Sequence, residues 1–306
     1  MRFSELQMEW KPTFIGNFRS GTTLLANLLG LHPELATWFE TKMFCEALRW
    51  VRVLNDPATE PREQLLIRPD QAQGFSARAV YERMRQDLEL TAARLAGQTH
   101  SGKGAHEHYP VGHDAVAYSL PQGQAALDDW YRQVMRVPND AQAILKLTGE
   151  LIGRLGELHA GLAGKPCWVN KTPEIPRFAE ELRGALGQTR IILMIRDGRA
   201  VVRSASALGW ASEERLAVWW KQMILETREA MRDYPKDYLE VKYEELIAQP
   251  EQVLDQVLAF MGLQPMGAAL WQRYREGVRL PLPTVHQRQP AAVSVDEALL
   301  RLLGYC

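Results

Sequence analysis

Cysteine is scarce in this chain, with three residues among 306. Cys45, Cys167 and Cys306 are odd in number and far apart in the sequence, which favours reduced packing residues over a disulfide framework. Long apolar runs are also missing: the first residues contain no leader-like apolar core, and no segment reaches the length needed to cross a bilayer. The sequence therefore predicts a soluble, cytoplasmic protein.

Net charge is low as well. The chain has 36 basic and 37 acidic side chains, with a formal charge of −1. This balance provides no general attraction to nucleic acid or to an anionic membrane, so we expect no nucleic-acid partner and only local basic function. Arg196, Arg199 and Arg203 form the candidate basic cluster. With 46% apolar residues, the chain can bury a full core as one domain that spans residues 1–306.

A lysine is missing from a glycine-rich stretch at residues 16–23, whose sequence is GNFRSGTT. A nucleotide triphosphatase loop reads G-x-x-x-x-G-K-[ST], and Thr22 stands at its lysine position. An apolar strand and a helix that begins near Gly21 still predict an anion cradle, because the first N–H groups of the helix face the loop. Such a cradle suits one terminal phosphate better than a β,γ-phosphate clamp. The candidate residues are Arg19, Ser20, Gly21, Thr22 and Thr23.

The order of elements predicts an α/β fold. Strand-like apolar runs alternate with helical patterns and lie at 13–16, 36–39, 167–170, 190–195 and 238–241. This alternation implies a mostly parallel sheet flanked by helices. Ligands of such sheets bind at the carboxyl ends of the strands, where Arg19, Lys171 and Arg196 all fall.

Residues 51–142 match no motif and are predicted to form a largely helical cap inserted in the domain. They contain a helical pattern at 76–96 and a glycine- and histidine-rich loop at 97–124, which is long enough for a substrate lid. The loop carries His106, His108 and His113. Without cysteine partners or a helical H-x-x-x-H, these histidines indicate a solvated loop rather than a metal site.

Five motifs occur along the chain in the order seen in a known family. They are FRSGTTLL at 18–25, WVNKTP at 168–173, RIILMIRDGRAVVRSAS at 190–206, YLEVKYEELIAQPEQVLDQVLAFMGL at 238–263 and LLRLLGYC at 299–306. Together they resemble the sulfotransferases that use 3′-phosphoadenosine 5′-phosphosulfate (PAPS), especially the bacterial and tyrosylprotein branch. The resemblance implies a P-loop-like sheet and transfer of a sulfuryl group from PAPS to an acceptor hydroxyl by metal-independent in-line displacement.

The resemblance also implies catalytic roles. Sulfuryl transfer needs cations around the developing charge, and Arg19 of the loop and Lys171 of the WVNKTP turn would supply them. Glu40, 21 residues after Arg19, matches the branch's catalytic glutamate and would accept the proton of the acceptor hydroxyl. Two alternatives stay open, in which Glu40 only favours a helix start and Lys171 is a solvated lysine. Small-molecule sulfotransferases of the cytosol use a histidine base, so the loop histidines are rival candidates.

The nucleotide of this family has a second phosphate, the 3′-phosphate of PAPS, which distinguishes it from the ATP that kinases use. In the resemblance, Arg196 and Ser204 match the residues that bind the 3′-phosphate, and Tyr243 matches a tyrosine that approaches the nucleotide. Arg199 is assigned only as supporting charge, because it equally fits a helix face that Asp197 stabilises.

Two other classes of function stay open beside this one. A P-loop kinase for small molecules would need ATP and Mg²⁺, and Thr22 at the lysine position opposes it. A nucleotide-binding scaffold without catalysis is opposed by the presence of Arg19, Glu40 and Lys171 together. The missing leader favours a small-molecule, lipid, sugar or carrier-bound hydroxyl as the acceptor over a protein tyrosine, and residues 51–142 should select it.

Overall fold

Five parallel strands form the centre of the fold. The computed structural model describes residues 10–65, 74–95, 120–277 and 294–305. In these ranges the strands pair in the order β2-β3-β1-β4-β5, where β1 is Thr13–Gly16, β2 Leu35–Phe39, β3 Cys167–Lys171, β4 Arg190–Ile195 and β5 Tyr238–Lys242. Every pairing is parallel, which confirms the predicted fold class.

Helices connect these strands and cover both faces of the sheet. They are α1 Thr22–Gly30, α2 Lys42–Asn55, α3 Glu60–Leu65, α4 Ala77–Leu95, α5 Leu120–Val134, α6 Ala141–Leu162, α7 Ala179–Leu186, α8 Gly198–Ser206, α9 Glu213–Ala230, α10 Tyr243–Ala248, α11 Pro250–Met261, α12 Gly267–Gly277 and α13 Glu297–Leu302. Local signals set their starts: the Asp140 carboxylate before α6 accepts a hydrogen bond from the Ala143 N–H at 2.9 Å. Among the described helices, none is both long and apolar enough to cross a bilayer.

Strands β1 to β4 are buried almost throughout, whereas β5 is mostly half-buried. Burial on both faces of the sheet explains the apolar runs in the sequences of the buried strands. Neighbouring residues of a strand point to opposite sides. Phe14 accordingly packs with the core that includes α2 and α6, whereas Ile15 packs with the core that includes α1 and α11. The chain leaves β1 toward β2 on one side of β1, and it later leaves β3 toward β4 on the other side. A ligand crevice is expected at the carboxyl end of β1, where the direction of the connections reverses.

Residues 51–142 pack onto the same core. The helix α4 contacts α2 and α5, and α5 contacts α6. Met84 and Leu88 of α4 and Trp130 of α5 are buried in one cluster with Phe14 of the sheet. Their role as a cap over a substrate stays a prediction.

One predicted boundary in this region is wrong. The loop predicted at 97–124 ends before Leu120, where α5 begins. Gly123 made a loop the expectation at this point. A helix can nevertheless begin here, because Pro121 lies in its first turn, where the N–H that proline lacks would have no partner within the helix. The rest of the predicted loop lies outside the described residues, together with His106, His108 and His113.

The two described cysteines behave as packing residues. Cys45 and Cys167 are free and buried, as the sequence predicts. Burial raises the pKa of both thiols, which keeps them protonated and unreactive. Cys306 lies outside the described residues.

A buried ionic cluster joins α2, α3 and the segment after β3. Its central carboxylate, Glu63 of α3, accepts hydrogen bonds from Arg177 at 2.8 and 2.9 Å and from Arg49 of α2 at 3.2 Å. The guanidinium groups of Arg49, Arg52 and Arg177 also lie 5.6, 4.7 and 5.0 Å from the centre of the Phe178 ring. The cluster therefore fixes the two segments that follow the carboxyl ends of β2 and β3.

Glu63 should make the stability of the protein depend on pH. Burial alone would raise its pKa, but Arg177, Arg49 and Arg52 outweigh burial and lower the pKa to about 2. The folded-state pKa is thus below the unfolded-state value of about 4.3, so the stabilisation is present above about pH 5 and is lost as the pH falls toward 2. The difference corresponds to about 3 kcal/mol of unfolding free energy.

Urea unfolding between about pH 6 and about pH 2.5 measures this effect in the wild type and in Glu63→Gln. Glu297→Gln is the matched control, since Glu297 is an exposed carboxylate paired with Arg301. The wild type and the control should lose more stability on acidification than Glu63→Gln does. An equal loss in all three proteins would contradict the assignment to Glu63.

Candidate active site

The predicted site residues follow the carboxyl ends of all five strands. Arg19 lies in the loop after β1, Glu40 directly follows β2, Lys171 ends β3, Arg196 follows β4 and Tyr243 follows β5. The strand order therefore arranges them along one edge of the sheet, with Glu40 and Lys171 on one side of the β1 loop and Arg196 and Tyr243 on the other.

Unusual backbone conformations are concentrated at this edge. In the described part of the chain, the non-glycine residues with positive φ are Asn17 at 96°, Arg19 at 54° and Glu40 at 51°. Each such conformation costs about 1–3 kcal/mol and persists only where the surrounding contacts enforce it. Gly21, also at positive φ, avoids this cost because it has no side chain. The strained residues of the described chain thus lie in the β1 loop and at the end of β2, which makes this side of the sheet the candidate site.

Hydrogen bonds hold the β1 loop in this conformation. The Asn17 N–H donates to the Pro173 carbonyl and its Nδ2 donates to the Met194 carbonyl, both at 2.8 Å. These bonds hold the loop against the segment that follows β3 and against the last residues of β4. Ser20 is fully buried, and its hydroxyl donates to the Phe18 carbonyl at 3.2 Å, so it shapes the loop from inside.

The start of α1 has the properties of an anion cradle. Gly21 is its N-cap and forms no side-chain capping bond, and the first turn contains no acidic residue. The first N–H groups of this fully described helix are therefore not used by a cap, and the helix dipole favours an anion there. Thr22 is buried and Thr23 is partly exposed at this end.

Tyr243 closes the other side of the cradle. A Cβ on Gly21 would lie 2.4 Å from Cδ2 of the Tyr243 ring, so only glycine allows this close packing. The guanidinium carbon of Arg196 lies 4.4 Å from the centre of the same ring. Burial raises the pKa of Tyr243 although the nearby Arg196 opposes the shift, so the hydroxyl stays neutral. Tyr243 thus packs between the glycine turn and a cation.

Arg19, Ser204 and Arg196 form one connected group. The Arg19 Nε donates to the Ser204 Oγ at 2.9 Å, and the Arg196 Nη1 donates to the Arg19 carbonyl at 2.9 Å. The Arg19 guanidinium also lies 5.9 Å from the ring of the exposed Trp210. Arg196 and Ser204, both predicted at the 3′-phosphate, therefore each contact Arg19 of the β1 loop.

Arg199 contacts the start of its own helix and the C-terminal segment. Its guanidinium donates to both oxygens of Asp197 at 2.9 and 2.7 Å and to the Tyr305 carbonyl at 2.9 Å. Asp197 also caps α8 by accepting from the Arg199 N–H. The helix-face interpretation of Arg199 fits these contacts.

Glu40 and Lys171 form an ion pair. The Lys171 Nζ lies 2.7 Å from the Glu40 Oε1, and the Glu40 N–H donates to the Lys171 carbonyl at 2.6 Å. The Lys171 side chain is fully buried, whereas that of Glu40 is 26% exposed. The alternative of a solvated Lys171 is therefore wrong.

A residue that the sequence did not indicate caps the helix after Glu40. The Met43 N–H, in the first turn of α2, donates to the Asp87 Oδ2 of α4 at 2.7 Å. Thr41, the N-cap residue of α2, makes no side-chain capping bond. Asp87 lies 44 positions after Met43 in the sequence, so no local pattern could have revealed this contact.

Potential metal ligands are not grouped in the described part of the chain. No group of three or more His, Cys, Asp or Glu side chains is arranged to hold an ion there. The cations in the described part of the site belong to side chains, chiefly Arg19, Lys171 and Arg196.

These features define a candidate anion site at the carboxyl end of β1, where Thr22 stands at the lysine position of a nucleotide triphosphatase loop. The model of the Sulfotransferase family matches residues 12–266. The chain therefore belongs to the Sulfotransferase family.

Solved structures agree with this assignment at the level of the fold. The sulfotransferase domain of the Synechococcus PCC 7002 olefin synthase superposes with a TM-score of 0.52 and 18% identity, covering 98% of this chain and 97% of that one. A sulfotransferase from Mycobacterium avium superposes with a TM-score of 0.52 and 13% identity, covering 96% and 75%.

One curated relative is similar over a shorter region. It is the "Putative protein-tyrosine sulfotransferase" of Caenorhabditis briggsae, which is 28% identical over 129 residues. The match covers 40% of this chain and 44% of that relative, so it spans less than half of either protein.

Proposed function

We propose that the protein transfers the sulfuryl group of PAPS to an acceptor hydroxyl. The observation that carries the proposal is the arrangement along the sheet edge. A lysine-free anion cradle lies at the end of β1, with the Glu40–Lys171 ion pair on one side and Arg196 on the other. A donor with a phosphosulfate at one end and a second phosphate at the other fits such a row of cations.

The donor would bind mainly through the cradle. The N–H groups from Ser20 to Thr23 and the hydroxyls of Thr22 and Thr23 would hold the 5′-phosphosulfate, since they lie at the uncapped start of α1. Arg196 and Ser204 would bind the 3′-phosphate, and Tyr243 would pack beside the nucleotide. The hydrogen bonds of Arg196 and Ser204 to Arg19 support a position for the 3′-phosphate beside the β1 loop.

The reaction would proceed by in-line displacement. Glu40 would accept the proton of the acceptor hydroxyl while the acceptor oxygen forms a bond to sulfur. The bond between sulfur and the phosphate oxygen would break, and 3′,5′-adenosine bisphosphate (PAP) would leave. Lys171 and Arg19 would stabilise the charge on the sulfuryl oxygens and on the leaving phosphate. Protein cations would thus supply the charge stabilisation without a metal.

The acceptor is expected to be a small-molecule, lipid, sugar or carrier-bound hydroxyl. Residues 51–142 would contact it, because Asp87 of α4 already reaches the helix that follows Glu40. We retain the cytoplasm as the proposed location.

Label transfer from PAPS tests this function directly. The protein would be incubated with sulfur-labelled PAPS and a panel of phenols, sugars, hydroxylated lipids and carrier-bound hydroxyl compounds, with and without EDTA. We expect labelled product together with an equal amount of PAP, unaffected by EDTA. A parallel incubation would contain ATP labelled in the γ-phosphoryl group, with Mg²⁺. Transfer of that phosphoryl group without any transfer from PAPS would support a kinase, and nucleotide binding without transfer to any acceptor would support a scaffold.

Arg196→Ala should remove the preference for a 3′-phosphate. A charge-assisted hydrogen bond contributes about 1.5–3 kcal/mol, so affinity for PAP should fall by about 10- to 100-fold while affinity for 5′-AMP stays unchanged. Calorimetric titration with both nucleotides measures the two affinities. Arg154→Ala, which removes an exposed arginine of α6, is the control. A similar loss for both nucleotides would contradict the assignment of Arg196.

A further inference from the structure

A buried chain of hydrogen bonds lies beside the Glu40–Lys171 pair. The Asn170 Nδ2 donates to the Thr41 Oγ1 at 2.6 Å, and the Thr172 Oγ1 donates to the Asn170 Oδ1 at 2.9 Å. The two threonine oxygens are 3.4 Å apart, which closes the chain. Asn170 and Thr172 are 0% exposed and Thr41 is 1% exposed.

The residues of this hydrogen-bond chain are linked to the ion pair through the backbone. Thr41 directly follows Glu40, and Asn170 and Thr172 are the two neighbours of Lys171. Because successive side chains of a strand point to opposite sides, Asn170 lies on the side of β3 opposite to Lys171. These hydrogen bonds therefore connect the ends of β2 and β3 on the side of β3 that faces away from the Lys171 side chain.

The conformation of Glu40 requires such a connection. Its φ of 51° is unfavourable for a residue with a side chain, and the contacts around it must maintain this conformation. On its N-terminal side, Phe39 pairs with Lys171 in the sheet. On its C-terminal side, the hydroxyl of Thr41 is held by Asn170.

We propose that Thr41 and Asn170 are positioning residues that hold the Glu40 carboxylate against Lys171 in the geometry for proton transfer. The inference rests on the proposed function, in which Glu40 is the base. Removal of the Thr41 hydroxyl would leave the buried Asn170 Nδ2 without its acceptor and free the residue after Glu40 to shift. A displacement of about 1 Å can lower the rate of a positioned reaction by about 100-fold.

Three variants test the inference. Thr41→Val removes the hydroxyl at nearly constant volume, and Thr41→Ser restores it. Thr148→Val is the matched control, because Thr148 is also fully buried and accepts from a buried donor, the Trp130 Nε1 at 3.3 Å. PAP release from PAPS would be measured with the best acceptor of the panel, together with the KM for PAPS and a crystal structure of each valine variant.

We expect Thr41→Val to lower kcat by about 10- to 100-fold with an unchanged KM for PAPS, and Thr41→Ser to recover most of the rate. In the crystal structures, the Glu40–Lys171 contact should be lost in Thr41→Val and kept in Thr148→Val. If Thr41→Val has the kcat and the ion pair of the control, the inference is wrong while the proposed function stands. If the wild type transfers no sulfuryl group, the proposed function fails and the inference fails with it. If Glu40→Gln keeps full activity, Glu40 is not the base, and the inference fails while sulfuryl transfer stands.

Discussion

Glu40→Gln should lower kcat by about 100- to 10,000-fold, the contribution typical of a positioned general base. Glutamine keeps the size of the side chain and can still accept a hydrogen bond from Lys171, so the surrounding structure should be retained. What it loses is the ability to take the proton of the acceptor hydroxyl. Initial rates of PAP formation at saturating PAPS and acceptor measure the effect.

The control for this variant is Glu34→Gln. Glu34 is an exposed carboxylate just before β2, at the opposite end of that strand from Glu40. It should keep the wild-type kcat, and both variants should bind PAP with wild-type affinity. A wild-type kcat in Glu40→Gln would remove Glu40 as the base and direct attention to the loop histidines His106, His108 and His113.

Lys171→Met should lower kcat by about 100- to 1,000-fold, as does the loss of one preorganised donor at a developing anion. The ammonium is fully buried, so solvent screens it little and its charge acts strongly at short range. Methionine has a similar length and is apolar, so it fills the same buried space. Glu40 is 26% exposed and can be hydrated after the loss of its partner.

Lys165→Met is the matched control for Lys171→Met. Lys165 lies just before β3, and its Nζ donates to the Gly30 and Leu35 carbonyls at 3.0 and 3.2 Å. It lies at the opposite end of β3 from Lys171. The control should lose stability without a change in kcat. A similar kcat in both lysine variants and the wild type would contradict a role of Lys171 in charge stabilisation.

The sequence allowed the strand ends to be predicted well. The glycine pattern of residues 16–23 and the apolar runs before Glu40, Arg196 and Tyr243 have local physical causes, and the structure contains a strand at each expected place. These elements follow from backbone conformation and burial, which a short stretch of sequence encodes.

Contacts between distant segments could not be predicted from local patterns. Glu40 and Lys171 are 131 residues apart, and their contact depends on β2 pairing with β3 rather than with β1. The hydrogen bond from Met43 of α2 to Asp87 of α4 also joins distant segments. So do the bonds that Glu63 accepts from arginines of separate elements. Strand order and helix packing arise from the burial of whole faces, so no single motif carries them.

The measurement that tests the central claim most directly is the choice of nucleotide. Wild-type protein would be titrated calorimetrically with PAP, with 5′-AMP and with ATP plus Mg²⁺. The proposed function predicts that PAP binds about 10- to 100-fold tighter than 5′-AMP and needs no Mg²⁺. Tighter binding of ATP with Mg²⁺ than of PAP would contradict it.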